Sequence, residues 1–309
     1  MASKAHNAKV NAERQSMNLV KLVEQFGSED RCRDYLEHLR WPDGIRCPKC
    51  GSASVSRIST RRQLDCNSCR SRFSVTSGTV LHDSHLPLWK WFLATYLITE
   101  SKKGVSANQV KRMLRVSYKT AWYLCHRIRW AIGEGPVERL SGVVEIDETY
   151  VGGKARDPHS MDNKTMVLGA IEREGRVVFR VEGKVQANRQ RLHKFVKDVV
   201  ADEAEAIYTE KHWGYQGIAD ENTRHETVSH HQEEWVRGEV STQSIESVWS
   251  LLDRSIIRSF HQLSAKHLPA YLDEISFRFN NRENPFLFRD TLIALLTGEA
   301  LTYSELIRS

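Results

Sequence analysis

Two pairs of cysteines constrain this chain more than any other feature. In "CPKCGS" and "LDCNSC", Cys47 and Cys50 are separated by two residues, as are Cys66 and Cys69, with fifteen residues between the pairs. Each pair can close a tight turn that aims two thiolates at one point, and two such turns complete a tetrahedral site. That spacing predicts a structural Zn²⁺ held by Cys47, Cys50, Cys66 and Cys69, with no position left open for catalysis. The region 27–80 is therefore expected to be a zinc ribbon with a preceding helix. Cys32 and Cys125 stand apart and read as small apolar fillers.

At 309 residues the chain can hold more than one core. Its start, "MASKAHNAKVNAERQ", has no apolar core and does not read as a secretory signal. The apolar stretch "LWKWFLATYLIT" is too short to span a bilayer and is broken by Lys90. No membrane partner is expected, and the default compartment is the cytoplasm. Residues 1–26 read as a tail with a short helix, 87–132 as helical, and "GEGPVERLSG" (133–142) as a hinge. After it, strands are expected at 143–151, 165–172, 176–183 and 206–209, with helices at 187–200, 242–258 and 264–280. This order predicts an α/β mixed sheet with helices on its faces. Residues 283–309 read as a helical tail.

The net charge of +6 suggests a polyanionic partner only weakly. Its distribution says more. From Ser101 to Trp130 there is no acidic residue, while Lys102, Lys103, Lys111, Arg112, Arg115, Lys119, Arg127 and Arg129 are basic. Within this run Ser106 and Ser117 are placed to cap two successive helices. Val110, Leu114, Ala121, Leu124 and Ile128 form their inner faces. The pattern predicts a helix-turn-helix in which Tyr118, Lys119 and Thr120 meet base edges. Lys111, Arg112, Arg115, Lys119 and Arg127 are the candidate phosphate contacts, and double-stranded DNA is the expected partner.

The strand "GVVEIDETYVGGK" contains Asp147 in an otherwise β-branched and aromatic run. Burying a lone carboxylate is unfavourable, and a divalent cation would offset it. Phosphodiester chemistry uses paired metal ions held by carboxylates from different elements. Glu210, at the end of "AIYTE", and Glu246, in "TQSIESVWSLLDR", follow in an order that a mixed sheet could bring together. Gln243 lies about 60° around the helix from Glu246 and can face the same pocket.

The motifs "RWPDGIRCPKCGS", "YKTAWYLCHRIRWAI", "VVEIDETYVGGK", "HETVSHHQEEWVRG", "STQSIESVWSLLDR" and "LPAYLDEISFRFNNR" together resemble the ISXO-like insertion-sequence transposases, relatives of the Merlin elements. The resemblance runs from about Leu22 to Arg282. It implies a zinc ribbon, a helix-turn-helix region and a ribonuclease-H-like catalytic core over 143–282. It further implies hydrolysis at transposon ends with Mg²⁺ or Mn²⁺, then attack of the freed 3′-hydroxyl on target DNA. Joining two ends implies a homo-oligomer in the active complex, acting on the bacterial nucleoid.

Carried over residue by residue, the resemblance assigns the metal-binding acids to Asp147, Glu210 and Glu246. It also exposes departures. Glu210 stands where the family has Asp, Ser241 and Gln243 stand for His and Asn, and Asp253 replaces a common Lys. Glu148 and Asp220 are possible substitute ligands. His225, His230 and His231 read as loop or packing residues, and Trp249 as core. Two readings follow: an active enzyme with a shifted ligand set, or a decayed or co-opted copy that only binds DNA. A zinc-ribbon transcription regulator ranks last, because it leaves 143–282 without a purpose.

Overall fold

The computed structural model describes residues 16–58, 60–133, 135, 138–153, 163–219, 221–261 and 263–308. Residues 1–15 and Asp220, for which the sequence raised expectations, lie outside them. The chain divides into two compact units, Met1–Glu134 with Glu283–Ser309, and Gly135–Arg282.

The first unit begins with α1 (Leu19–Phe26) and α2 (Glu29–Arg40). Asn18 and Ser28 cap them, accepting the amides of Lys21 and Arg31 at 3.0 and 3.3 Å. A three-stranded antiparallel sheet follows, β1 (Val55–Ile58), β2 (Gln63–Cys66) and β3 (Arg72–Phe73). Its own small core is Cys47, Leu64, Cys66 and Phe73. Then come α3 (Leu88–Glu100), α4 (Ala107–Leu114) and α5 (Tyr118–Gly133); after the second unit, α9 (Leu287–Thr297) and α10 (Tyr303–Arg308) complete the first. Phe26, Leu36, Trp91, Phe92, Leu124 and Phe288 share one core. Cys32 and Cys125 are fully buried in it, as expected of apolar fillers, and burial pushes the Cys32 thiol up to about 12.

The four remaining cysteines form a preorganised tetrad. Their sulfurs lie within 4.8 Å of one another, with Cys47 to Cys69 at 3.7 Å and Cys50 to Cys66 at 3.5 Å. Zn–S bonds near 2.3 Å require tetrahedral sulfurs about 3.8 Å apart, so the donor set fits zinc. The Cys69 amide also donates to Cys66 Sγ at 3.5 Å, an interaction that favours thiolate.

The second unit is a mixed five-stranded sheet in the order β6-β5-β4-β7-β8. The strands are β4 (Val143–Gly152), β5 (Lys164–Glu172), β6 (Val177–Gly183), β7 (Ala206–Glu210) and β8 (Arg224–Val228). The first three pair antiparallel, whereas β7 runs parallel to both β4 and β8. Alternate residues of β4 serve opposite faces. Val144 and Ile146 pack with Leu192 and Phe195 of α6 (Arg189–Val199). The other face is covered by α7 (Gln243–Ser255) and α8 (Leu268–Asn280), through Ile245, Val248, Trp249, Leu272 and Ile275. The sequence reading missed β8, along with the short hairpin of β9 (Val236–Arg237) and β10 (Val240–Ser241). It also extended α7 too far: a π-helical turn, Ile256–Phe260, ends it.

One contact docks α7 on the sheet. Glu145, fully buried on β4, accepts the Ser244 and Ile245 amides at 2.7 and 3.1 Å and the Ser244 hydroxyl at 3.0 Å. Its other oxygen interaction is a 3.0 Å ion pair with Arg173 Nε. The α7 N-cap, Thr242, makes no side-chain capping bond, so a strand carboxylate satisfies the free amides and faces the positive helix end.

Two outcomes are expected. The purified chain carries one zinc per molecule by elemental analysis, and Cys66→Ser loses the metal and the ordered ribbon amides in hydrogen exchange. Glu145→Ala strands buried amides and Arg173, so denaturant unfolding of the second unit should show a loss of about 3–5 kcal/mol.

Candidate active site

The register of two strands brings the first two acids together. Ile146 is opposite Thr209 on the parallel β4–β7 pair, so Asp147 and Glu210 come next in register. Glu210 ends β7 while Asp147 lies mid-strand on β4, and the two share the sheet face that carries α7. Helix α7 crosses that face, held by Glu145, and presents Glu246 one turn in from its start. Thr242 Oγ1 donates to Glu246 Oε1 at 2.8 Å and fixes that carboxylate. Gln243 and Glu246 line one surface hollow of about 440 Å³ with Ser247, Ser250 and Arg254. Asp253 is exposed and does not line it, whereas Arg254 one residue later does.

The structure thus brings Asp147 beside Glu210 and sets Glu246 on the covering helix. It does not collapse the three into one tight cluster. Among the described residues, the cysteine tetrad is the one group with all its ligand atoms within 4.8 Å of each other.

Asp147 is held by a side chain that the sequence placed only in the core. Trp249 Nε1 donates to Asp147 Oδ2 at 2.9 Å. The indole reaches it because Gly169, the β5 partner of Asp147, leaves room; a Cβ there would lie 2.5 Å from the Trp249 ring. Burial pushes the Asp147 carboxyl up to about 7. The charge of Glu148 reinforces the shift, the Trp249 indole and the Glu148 amide oppose it, and Glu210 adds a smaller upward push.

Other expectations meet the geometry as follows. Glu148 lies on the opposite face and accepts the Tyr215 hydroxyl at 2.7 Å, so it is no substitute ligand on the Asp147 side. His225 also turns to that face, 2.9 Å from Thr209 Oγ1, and His231 is exposed. His230, read from sequence as a loop or packing residue, lies between two of the acids. Its Nε2 is 3.3 Å from Glu246 Oε1 and its Nδ1 is 4.0 Å from Glu210 Oε1, with the ring stacked on Trp235. No local signal marks it, because its partners are twenty and sixteen residues away.

Among the candidate DNA contacts, Lys111, Arg112, Arg115, Tyr118 and Lys119 are exposed and Thr120 is half-buried. Arg115 takes the left-handed conformation, φ 50°, that turns the chain from α4 into α5. Lys119 Nζ lies 4.3 Å over the Tyr303 ring. Arg127 is a correction. It is buried, donates to the carbonyls of Val80 and His82, and stacks over Trp91 and Tyr123. Its charge is spent inside the first unit and is not available to phosphate.

The raised Asp147 carboxyl makes stability depend on pH in a definite direction. The folded state keeps the proton between about 4, where the unfolded group titrates, and about 7. Cation-free stability therefore falls as pH rises through that window. Asp147→Asn removes this penalty while leaving an acceptor for Trp249. Thermal melts without divalent metal should show it stabilised by about 2–4 kcal/mol at pH 8 and unchanged near pH 4.

Comparison with known proteins adds to this geometry. Residues 139–280 match the ISXO2-like transposase domain and residues 27–72 the transposase zinc-ribbon domain. A protein of Halobacterium salinarum, described as an uncharacterized protein in transposable element ISH50, is 30% identical over 276 residues, covering 83% of this chain and 92% of the relative. Among solved structures, a chain from the simian T-cell lymphotropic virus intasome in complex with PP2A regulatory subunit B56 gamma aligns with a TM-score of 0.31 and 12% identity. That alignment covers 60% of this chain and 65% of the other, just under two thirds, and at its score it supports no argument. Among the described residues no helix is long and apolar enough to cross a membrane. With both parts of its sequence matched and an insertion-sequence protein similar along most of its length, the chain belongs to the ISXO2-like transposase family, zinc ribbon included.

Proposed function

We propose that this transposase cleaves DNA at the ends of its insertion sequence and transfers the freed strand to target DNA, through a ribonuclease-H-like core. The observation that carries this reading is the shared face of Asp147 and Glu210 on neighbouring parallel strands, crossed by the helix that holds Glu246. The three carboxylates are oxygen donors, which suit a divalent cation. Bound there, such cations would supply an activated oxygen nucleophile and neutralise charge at the scissile phosphate.

The chain's own residues supply the placement. Asp147, Glu210 and Glu246 would hold the cations, with Trp249 and Thr242 fixing the first and last of these carboxylates. Gln243 orients the strand in the hollow it shares with Glu246, and Arg254, on the same wall, attracts a backbone phosphate. Burial raises the Asp147 carboxyl to about 7, so it holds its proton below that pH and would compete with a cation there, and cation loading should strengthen as pH rises through about 7.

Grip on duplex DNA falls to the first unit. We assign α4 and α5 as a helix-turn-helix, with Lys111, Arg112 and Arg115 on phosphates and Tyr118, Lys119 and Thr120 near base edges. The zinc ribbon belongs to the same unit. Joining two ends requires at least two copies in the active complex.

Two measurements check this. Full-length protein with Mg²⁺ or Mn²⁺ should nick a duplex carrying the terminal repeat of its own element, and Asp147→Ala should abolish nicking. Equal nicking by both proteins would overturn the assignment. Lys111→Ala and Arg112→Ala should weaken duplex binding and each reduce the log–log salt slope by about one. Arg127→Ala should instead lower the melting temperature.

A further inference from the structure

We infer that His230 is a ligand of the cation that Glu246 holds, and that this nitrogen donor makes the site prefer a first-row transition ion such as Mn²⁺ over Mg²⁺. The inference rests on the catalytic reading above and specifies its metal.

The topology delivers His230 to the acids. Val228, the last residue of β8, is the register partner of Glu210, and a 3₁₀ turn, His230–Gln232, begins two residues later. The chain reverses there, and the imidazole is set against the carboxylate end of the site. Its ring is fixed by stacking on Trp235, with centroids 4.3 Å apart and planes 29° apart. Nε2 faces Glu246 Oε1 at 3.3 Å. Two adjacent ligands on an octahedral ion with bonds near 2.1 Å stand about 3 Å apart. The nitrogen and the carboxylate oxygen are therefore already spaced as neighbours on one ion.

The other ring nitrogen faces a carboxylate: Nδ1 lies 4.0 Å from Glu210 Oε1, beyond hydrogen-bond distance but close enough for Glu210 to be its partner once metal is bound. A carboxylate on the far nitrogen would fix the tautomer whose Nε2 can ligate metal, and metal would then replace the 3.4 Å contact of Nε2 with Thr242 Oγ1, whose hydroxyl already donates to Glu246. Glu210 retains its second oxygen for the ion beside Asp147. The extra methylene of glutamate at this position supplies the reach toward His230.

The metal preference follows from the donors. Mg²⁺ takes oxygen ligands almost exclusively and dehydrates reluctantly. Imidazole suits Zn²⁺, Fe²⁺, Ni²⁺ and Cu²⁺ best, and Mn²⁺, though it favours oxygen, accepts a nitrogen donor more readily than Mg²⁺ does. The competing account is that His230 only hydrogen-bonds Glu246 and orders the loop.

Pulsed electron paramagnetic resonance on the zinc-loaded full chain with added MnCl₂ separates the two. A ligating His230 gives ¹⁴N modulation of the Mn²⁺ signal in the unaltered protein, so the test does not depend on a variant folding. His230→Ala should lose that modulation and weaken Mn²⁺ binding at least about tenfold, with Mg²⁺ binding changed less than about twofold in calorimetry. Mn²⁺ bound in a Glu246-dependent manner without nitrogen modulation would overturn the inference and leave the catalytic reading standing. Mn²⁺ binding indifferent to both Glu246→Gln and Asp147→Ala would sink the catalytic reading and the inference together.

Discussion

Glu145 sets the geometry of the second unit. It is a fully buried carboxylate on β4, and it is satisfied from three directions: two amides at the start of α7, the Ser244 hydroxyl and the Arg173 guanidinium. Arg173 in turn lies over the Tyr208 ring and donates to Ser241, just ahead of the helix. A charge in this position would be strongly unfavourable without these partners. With them it ties one end of α7 to one strand and leaves little freedom in where Glu246 falls. The acid two residues later on the same face, Asp147, then meets the helix it must work with. The anchoring charge and the candidate metal acid are thus neighbours on β4, with different partners and different tasks.

Asp147 is placed by packing as much as by charge. Gly169 on the next strand clears the space that the Trp249 ring occupies, and the ring brings its N–H to the carboxylate. The hydrogen bonds from the Trp249 indole and the Glu148 amide do not offset the burial, and the carboxyl is accordingly raised to about 7. On the proposed reading, a divalent cation bound here would relieve both the desolvation and the repulsion from Glu148 and Glu210. The departures at 210 and 243 both lie near Glu246, one through His230 and the other along the helix. Glu210 is long enough to approach His230, and Gln243 stays on the wall of the hollow with Glu246. Asp253 turns out of the hollow, and Arg254 supplies the positive charge there.

What could be read from the sequence was whatever is written in local spacing. The cysteine pairs define two turns by themselves, and the tetrad follows. The capping serines at 28, 106 and 117 and the β-branched run around Asp147 likewise carry their meaning within a few residues. The features that were missed depend on partners far along the chain. Glu145 looked like one of three equivalent acids until α7 arrived a hundred residues later, and His230 reached its place beside Glu246 through β8 pairing with β7. Strand β8 itself, "RHETV", is half polar and short, and shows little alternation to find. Arg127 was misassigned for a related reason. An acid-free run reveals that charge is present, but the side of α5 that carries Leu124 and Ile128 also carries Arg127 into the core.

The central claim is that Asp147, Glu210 and Glu246, distant in sequence, gather divalent cations on one sheet face. Anomalous diffraction from crystals of the protein soaked in Mn²⁺ tests it most directly. The account predicts density at the manganese edge among these three carboxylates, on the α7 side of β4 and β7. Manganese found only elsewhere on the molecule, with those carboxylates unliganded, would contradict it.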